Sequence, residues 1–425
     1  MEFIVVFGGE SWEHEISIVS AITLKKELKN IAHFVFIDSE NDVYLIPHES
    51  MKSTHFSSLA YKKDAKLTFA KGGFLQRGFL KKNILRGIVI NLIHGKSGED
   101  GQMAGLLDFY QIPFVGPRIE ACAMSFSKEM TKIYAEARGV RVLEYKVVDS
   151  ALAQNLGGNS AQFAESSLDS AESQNLIKNN SSLRGSKATE AIHESKIDCH
   201  ESADTDSRND EFDGLPRRFC ESARNDEFIL DSATKSKFAT FPCIVKPARL
   251  GSSIGIAVAK NKDDLAYALD CAFEFDERAI IEPFIPRIRE FNLAGCKVNG
   301  EFVFSMIEEV KKDEFFGFED KYLDFQGTQK KQAADLSDEM SAKIQENFKA
   351  IYENCFEGAL IRCDFFLLND EIYLNEINPI PGSLAHYLFD DFNGVLQKLA
   401  QNLPKKRKIP VKYQYISKIQ AQKGK

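Results

Sequence analysis

One segment near the C-terminal end governs how the rest of the sequence is interpreted, and it reads IRCDFFLLNDEIYLNEINPIPG (361–382). Two runs rich in Ile, Leu and aromatic residues, 361–368 and 372–377, lie on either side of the polar residues Asn-Asp-Glu. Runs of this length bounded by turn residues are typical of β-strands. The pattern therefore predicts an antiparallel hairpin with a three-residue turn centred on Asp370.

The polar residues of this hairpin fall on one face, because residues two apart in a strand point to the same side. The predicted turn places Asp364 opposite Glu376 and Arg362 opposite Asn378. Like charges across a ladder destabilise a sheet unless a cation lies between them. Two carboxylates and an amide oxygen suit Mg²⁺, so a magnesium site is predicted here. A solvated face on which Arg362 neutralises Asp364 is the alternative.

A glycine-rich turn follows a short strand at 241–247 and reads KPARLGSSIG from Lys246 to Gly255. Small residues let backbone N–H groups approach phosphate oxygens, and Lys246 adds a positive charge at the strand end. An ordinary turn gives a similar pattern, but beside a magnesium site this one indicates ATP. The GxxxxGK match ending at Lys96 is not a P-loop, because Ile90 stands where glycine is required.

The N-terminal part of the chain alternates apolar runs, glycine turns and a helical pattern. Runs at 3–7, 88–93 and 111–116 predict strands, and 14–28 predicts a helix after Gly8-Gly9. Strands separated by helices are typical of a parallel α/β unit, in which ligands bind at the carboxyl ends of the strands. The alternative is that these glycines only terminate strands.

Two polar groups follow predicted strands in this part: Glu13-His14-Glu15 and the stretch 94–101, which begins with His94. A carboxylate at a helix N-terminus interacts favourably with the helix dipole, which is sufficient to explain Glu15. Binding of a substrate ammonium is the other interpretation of Glu15, and these residues alone do not decide between the two.

Composition limits the classes of protein to consider. The chain has 425 residues, sufficient for two or three domains, with 54 Lys and Arg against 62 Asp and Glu and a net charge of −8. This charge does not favour binding to nucleic acid. The eight cysteines form no CxxC pair, and no apolar run reaches the length of a membrane span. We expect a soluble cytoplasmic protein without a membrane partner.

The composition changes between residues 150 and 237, which are rich in Ser, Asn, Asp, Glu and Ala. The sequence Arg-Asn-Asp-Glu-Phe occurs there twice, at 208–212 and 224–228. A polar segment of this kind cannot bury enough apolar surface to fold, so we predict a disordered insertion. Beyond it, a helix at 262–273 and a strand at 279–283 are predicted.

In combination these motifs resemble the D-alanine–D-alanine ligase family of the ATP-grasp superfamily. The matching stretches occur in the family's order along nearly the whole chain outside the insertion: 8–9, 13–17, 94–101, 126–128, 244–255, 281–282, 289–291, 321–322, 362–364 and 374–382. The resemblance implies a three-domain α/β ATP-grasp fold, with nucleotide between the second and third domains. The implied parts are a Rossmann-like substrate domain (1–118), a central ATP-grasp domain (119–286), a C-terminal catalytic domain (287–404) and a basic tail (405–425).

The resemblance also implies roles for individual residues in ATP and metal binding. The residues expected to contact ATP are Lys128, Lys246 and Lys321 at the phosphates, Glu282 on the adenine side and Glu290 at the ribose. Asp364, Glu376 and Asn378 are expected to hold two Mg²⁺ ions, for which Mn²⁺ can substitute.

Further residues are implied in substrate binding and catalysis. Glu15 is expected to bind the ammonium of the first D-alanine in a network with Ser252 and Tyr322, and His94 to line that site. Arg362 and the backbone N–H of Gly382 are expected to stabilise the tetrahedral oxyanion. Tyr387 departs from the family, which often has a serine near the second D-alanine carboxylate at this position.

The activity implied is ATP-dependent ligation of two D-alanines through an acyl phosphate, for peptidoglycan precursor synthesis, by a possible homodimer. Synthesis of the depsipeptide D-alanyl-D-lactate is the alternative reaction. A non-catalytic nucleotide-binding or interaction protein is the alternative from another class.

Overall fold

The computed structural model describes residues 1–77, 82–151, 241–310, 333–405, 410–411 and 413–423. The predicted insertion lies outside the described residues except for its first two positions, and Lys321 and Tyr322 lie outside them as well. Within these ranges the strands form three sheets, of eight, four and five strands. The α/β class predicted from the sequence is confirmed.

The first sheet is built from the N-terminal part of the chain. Its strands are β1 (Phe3–Gly8), β2 (Ile31–Ile37), β3 (Val43–Ile46), β4 (Ala65–Ala70), β5 (Gly73–Arg77), β6 (Lys82–Leu85), β7 (Ile88–Asn91) and β8 (Phe114–Val115). The helices of this part are α1 (His14–Glu27), α2 (Ser53–Ser57) and α3 (Gln102–Phe109). Every residue of β1 is buried, which is why this strand is an uninterrupted apolar run.

The predicted parallel unit forms the centre of this sheet. β1 pairs in parallel with β2 and β7, and β7 pairs in parallel with β8. The strand order is β6-β5-β4-β3-β2-β1-β7-β8, and β3 to β6 extend the sheet in antiparallel pairs. Sequence patterns did not predict this extension.

The second sheet is antiparallel and contains the glycine-rich turn. It consists of β9 (Lys146–Asp149), β10 (Cys243–Pro247), β11 (Ala257–Ala259) and β12 (Arg278–Pro283), in the order β11-β10-β12-β9. The predicted helix at 262–273 is confirmed as α6 (Lys262–Phe273), after α4 (Ile119–Phe126) and α5 (Lys128–Ala137). The Asn261 side chain caps α6 by accepting a hydrogen bond from the Asp264 N–H at 2.9 Å.

The third sheet is also antiparallel and carries the hairpin. Its strands are β13 (Arg289–Val298), β14 (Glu301–Phe304), β15 (Glu308–Val310), β16 (Ile361–Leu368) and β17 (Glu371–Asn378). The remaining helices are α7 (Asp338–Tyr352), α8 (Phe392–Gln401) and α9 (Ile416–Lys423), and a 3₁₀ segment spans Gly382–Leu388. Phe348 and Tyr352 of α7 pack with Phe291 and Phe365 of the sheet in one buried cluster.

Helices α4 and α5 belong to the core of this third sheet, although they precede the second sheet in the chain. Ala121 and Ala135 lie in the same buried cluster as Phe365. Leu374 of β17 also donates a backbone hydrogen bond to the carbonyl of Arg141, at 2.7 Å. The domain boundaries drawn from the resemblance stay a prediction.

The hairpin turn contains two residues, so the three-residue turn expected from the sequence is wrong. Leu368 pairs directly with Glu371, and the connecting residues Asn369 and Asp370 have φ values of +52° and +58°. Asn and Asp tolerate this left-handed conformation, which tight hairpin turns require.

A β-bulge produces the same cross-strand pairs that the three-residue turn had predicted. Phe365 pairs with Leu374 but Asp364 pairs with Glu376, so Asn375 is an extra residue in β17. Beyond the bulge Arg362 lies opposite Asn378. The predicted cross-strand pairs are therefore confirmed, and the bulge supplies the offset that had been assigned to the turn.

No helix among the described residues combines the length and apolar character that crossing a membrane requires.

Phe348 offers a test of the core that supports the hairpin. This side chain is fully buried and packs edge-on against Phe304 at 5.4 Å between ring centroids. Phe348→Ala should lower the free energy of unfolding by about 3–5 kcal/mol, because a cavity replaces an aromatic ring. Denaturant melts measure the loss. Phe109→Ala, at a side chain that is 80% exposed, is the control and should be nearly neutral; equal effects would contradict the assigned core.

Candidate active site

One cavity brings together residues of β17, of helices α4 and α5, and of the loops that follow β7 and β10. Its lining comprises Glu99, Ser125, Phe126, Lys128, Thr131, Leu250, Gly251, Asn375, Glu376, Ile377, Asn378 and Pro379. Three of the predicted site residues, Lys128, Glu376 and Asn378, are among them. The bulged residue Asn375 lines the cavity as well, so the bulge lies at the site.

The hairpin contributes a buried polar network centred on Asp364, which is 2% exposed. Arg362 donates two hydrogen bonds to its carboxylate, Nε to Oδ1 at 2.7 Å and a terminal nitrogen to Oδ2 at 2.8 Å. Asn378 donates from Nδ2 to Oδ2 at 3.0 Å. The Arg362–Asp364 pair of the alternative interpretation is thus formed, but it is buried and not solvated.

Charges around Asp364 are not balanced by Arg362 alone. Burial raises the pKa of Asp364 to about 6 against the opposing effect of Arg362, and the neighbouring charges of Glu376 and Glu290 raise it further. Burial alone would lower the pKa of the Arg362 guanidinium, but the neighbouring Asp364 raises that pKa well above its usual range. An additional cation at this position would stabilise the carboxylates.

The residues predicted to hold metal have the donor chemistry that magnesium requires. Asp364 and Glu376 supply carboxylate oxygens, and Asn378, whose amide nitrogen points to Asp364, has its amide oxygen as a further donor. All three residues supply hard oxygen ligands on one face of the hairpin. A divalent cation bound there would relieve the repulsion between the two carboxylates. The residues present therefore fit Mg²⁺.

A second charged group lies on α5, β10 and β12, close enough to Lys128 in the cavity wall for its charges to act on the pKa of that lysine. Lys246 contacts Glu282 with 2.6 Å between Nζ and Oε2, and Lys132 binds the other carboxylate oxygen, Oε1. Burial alone would raise the pKa of Glu282, but the two lysines outweigh it and lower that pKa to about 2. Lys128 donates from Nζ to the carbonyl of Leu250 in the glycine-rich turn.

Lys132 was not identified from the sequence. It lies four residues after Lys128 on α5, and this spacing places both lysines on one face of a helix. That spacing was the available signal. Glu290 was predicted, and it lies on β13 close enough for its charge to raise the pKa values of both Asp364 and Lys246.

The structure places Glu13, and not the expected Glu15, beside Ser252. The Ser252 hydroxyl donates to Glu13 Oε1, whereas Glu15 is exposed in the first turn of α1. The physical reason is that Glu13 precedes the helix and turns inward, while Glu15 lies two positions later and faces solvent.

Glu13 is held in a closely fitted position with one carboxylate oxygen available. Its Oε2 is buried without a hydrogen-bond partner. A Cβ added at Gly95 would approach Oε2 to 2.6 Å, and one at Gly251 would approach Oε1 to 2.9 Å, so both glycines leave space for it. Burial raises the pKa of Glu13, with a further contribution from Glu99 and an opposing one from Ser252.

His94 connects the first sheet to the 3₁₀ segment. The buried ring Nε2 of His94 lies 3.2 Å from Ser20 Oγ, which also accepts a hydrogen bond from the Ser383 N–H at 3.2 Å. Gly382 begins this segment, and an added Cβ there would meet no atom within 4 Å. Open space on this side of Gly382 leaves room for a ligand to approach the backbone.

Tyr387 lies on the same 3₁₀ segment, on the side of β15. Its hydroxyl donates to Glu308 Oε2 at 3.2 Å, and Asn292 Nδ2 donates to the same oxygen at 3.2 Å. Burial raises the pKa of Tyr387 to about 12, so the phenol stays neutral.

The structure thus brings most of the predicted residues together, with Glu13 in the place expected for Glu15 beside Ser252. Lys321 and Tyr322, predicted to contact ATP and the first substrate, lie outside the described residues.

Comparison with known proteins identifies two matching family models. Residues 2–117 match the model described as D-ala D-ala ligase N-terminus, and residues 215–393 match the D-ala D-ala ligase C-terminus. The first match covers strands β1 to β8, and the second covers strands β10 to β17.

Similar proteins extend these matches along the whole chain. The D-alanine–D-alanine ligases of Wolinella succinogenes and Helicobacter hepaticus are 46% and 45% identical to it, over the full length of both chains in each case. The crystal structure of the D-alanine–D-alanine ligase from Helicobacter pylori is 38% identical with a TM-score of 0.68, covering 96% of this chain and 100% of that one.

A D-Ala:D-Ser ligase from Enterococcus faecalis, VanG, shares the fold at 21% identity, with a TM-score of 0.62 over 94% of this chain and 98% of that one. The ATP-grasp fold expected from the motifs is therefore confirmed. With full-length identities of this size, the chain belongs to the D-alanine–D-alanine ligase family.

Proposed function

We propose that this protein joins two molecules of D-alanine with ATP, giving D-alanyl-D-alanine, ADP and phosphate for peptidoglycan precursor synthesis. The observation that carries the proposal is that Lys128, Glu376 and Asn378 line one cavity. The Asp364 network adjoins Asn378, and the charges of Lys246 and Glu282 lie near enough to act on the pKa of Lys128. Oxygen ligands for a cation and ammonium groups for phosphates are what an ATP-dependent ligase requires.

In the first step, a carboxylate oxygen of the first D-alanine attacks the terminal phosphorus of ATP. A new O–P bond forms, the bond to the β-phosphate oxygen breaks, and ADP leaves. Lys128 and Lys246 neutralise phosphate charge, and Lys321 is proposed to join them. Glu13 binds the ammonium of this D-alanine through Oε2, with Ser252 and His94 beside it and Tyr322 completing the site.

In the second step, the amine of the second D-alanine attacks the acyl phosphate carbon. Negative charge develops on the carbonyl oxygen of the tetrahedral intermediate, where the Arg362 guanidinium and the Gly382 N–H stabilise it. The intermediate then expels phosphate, and the attacking nitrogen loses a proton. Tyr387 is proposed to line the site of the second D-alanine carboxylate, and its neutral hydroxyl donates to Glu308.

Asp364, Glu376 and Asn378 are proposed to hold two Mg²⁺ ions, for which Mn²⁺ can substitute. When bound, the metal supplies positive charge that neutralises the phosphates and orients them for transfer. Glu282 and Glu290 are proposed to lie at the adenine and ribose ends. We also propose a cytoplasmic location, because nucleotide and precursor are used there, and a homodimer.

D-alanyl-D-lactate synthesis is not favoured, because the full-length relatives are named as D-alanine–D-alanine ligases. A non-catalytic protein is not favoured either, because the described residues near the cavity supply oxygen ligands for a cation and ammonium groups for phosphates, as phosphoryl transfer requires. No separate observation supports either alternative.

The proposed function is tested by measuring ADP release with and without D-alanine, together with mass detection of the dipeptide. We expect ADP release that requires D-alanine, is not supported by L-alanine, and stops when a chelator removes divalent metal. Added Mg²⁺ should restore it. ADP release without dipeptide, or dipeptide formation in the presence of chelator, would contradict the proposal.

Glu13 and Glu15 provide a matched pair two residues apart. Glu13→Gln should lower kcat/KM for D-alanine by roughly 10- to 100-fold, because a charged hydrogen bond to the substrate ammonium is lost. Glu15→Gln removes an exposed charge and should change kcat/KM by less than about twofold. Steady-state kinetics in D-alanine measure both values. If Glu15→Gln gave the larger loss, the ammonium site assigned to Glu13 would be wrong.

Arg362→Ala should lower the rate of dipeptide formation by on the order of a hundredfold or more, because the oxyanion loses its guanidinium partner. Rapid-quench measurement of dipeptide reports the rate, and circular dichroism establishes that the variant is folded. Arg141→Ala, at an exposed arginine 3.7 Å from Glu371, serves as the control. Turnover close to that of the unmodified protein would refute the role of Arg362.

A further inference from the structure

A buried group of three charges is formed by Lys132, Glu282 and Lys246. Lys132 has no role in the reaction steps proposed above. Lys132 binds Oε1 of Glu282, and Lys246 binds Oε2 with 2.6 Å between the two atoms. The side chains of Lys132 and Glu282 are each 3% exposed, and that of Lys246 is 12% exposed. Lys132 is thus the inner member and Lys246 the outer one.

The two lysines share one carboxylate, so two cations and one anion determine the net charge of the group. Burying an ion pair is favourable only when both charges are well compensated. Two ammonium groups and one carboxylate leave a net charge of +1. Without Lys132, the ion pair of Lys246 with Glu282 would be neutral and would attract an anion less strongly.

Lys132 is not among the residues that line the cavity. Its Nζ lies 5.5 Å from the centroid of the Tyr145 ring, and the residue is only 2% exposed. Lys128 lies one helical turn earlier on α5 and lines the cavity. Lys132 therefore acts behind the surface that a nucleotide would touch.

We propose that Lys132 is a positioning residue for ATP: it occupies half of the Glu282 carboxylate and so leaves the positive charge of Lys246 available to the phosphates. This inference rests on the proposed function and assigns to it a residue that does not contact substrate. The strong lowering of the pKa of Glu282 agrees with a carboxylate shared between two cations.

The test compares Lys132→Met with Lys398→Met, which removes one positive charge from an exposed position on α8. Lys132→Met should raise the dissociation constant of ATP, measured by calorimetry without D-alanine, by about tenfold. The KM for ATP should rise in parallel, while the KM for D-alanine stays within about twofold. Lys398→Met should leave all three values unchanged, and Lys132→Arg should restore most of the affinity.

A double variant separates charge balance from a structural role. Glu282→Gln combined with Lys132→Met returns the group to +1, and Gln keeps an oxygen acceptor at the proposed adenine end. The double variant should therefore bind ATP more tightly than Lys132→Met alone. The proposal is overturned if Lys132→Met leaves the ATP dissociation constant unchanged. It is also overturned if both KM values rise together with a lower melting temperature and the double variant shows no recovery.

Failure of this inference and failure of the proposed function give different results. If the unmodified protein binds ATP but releases no ADP with D-alanine, the proposed ligation fails while calorimetry still reports on Lys132. If ligation occurs and Lys132→Met binds ATP normally, the inference about Lys132 alone is wrong.

Discussion

The buried carboxylate of Asp364 imposes the constraint on which the rest of the site depends. An uncompensated charge at 2% exposure would cost several kcal/mol, so partners must lie within hydrogen-bond distance. Arg362 and Asn378 provide three bonds. Arg362 lies on β16 with Asp364, whereas Asn378 of β17 reaches Asp364 only if the two strands keep their register. The bulge at Asn375 and the aromatic packing beneath the sheet hold that register. Fold stability and site geometry are therefore coupled at this hairpin.

Helix α5 joins two of the three sheets at the nucleotide side of the cavity. Its Ala135 packs in the core beneath the hairpin, while Lys132 binds Glu282 on the second sheet. One rigid element thus relates the hairpin face proposed to hold metal to the lysine group. Lys128 of this helix and Glu376 of the hairpin line the same cavity, so the proposed phosphate and metal sites lie close together, as transfer of a phosphoryl group requires.

The first-substrate end depends on close backbone approach. Glu13 comes from the N-terminal sheet and Ser252 from the glycine-rich turn of the second, and they meet through a hydrogen bond. Gly95 and Gly251 lie so near the Glu13 carboxylate that a Cβ on either would collide with it. These glycines are needed for the space they leave to Glu13. For Gly251 this requirement adds to the phosphate-approach role that the small residues of its turn first suggested.

The sequence by itself determined the α/β class, the helix at 262–273, the hairpin and its cross-strand pairs, because these depend on local periodicity and turn chemistry. It also located most of the site residues, since they lie in recognisable motifs. Only the tertiary structure decided that Glu13 and not Glu15 faces Ser252, that Lys132 shares Glu282, and that a bulge sets the hairpin register. The first two depend on contacts between segments distant in the chain, and burial makes such contacts obligatory for charged groups without leaving a local pattern. The bulge is local, but an extra residue within a strand leaves no mark in the apolar pattern.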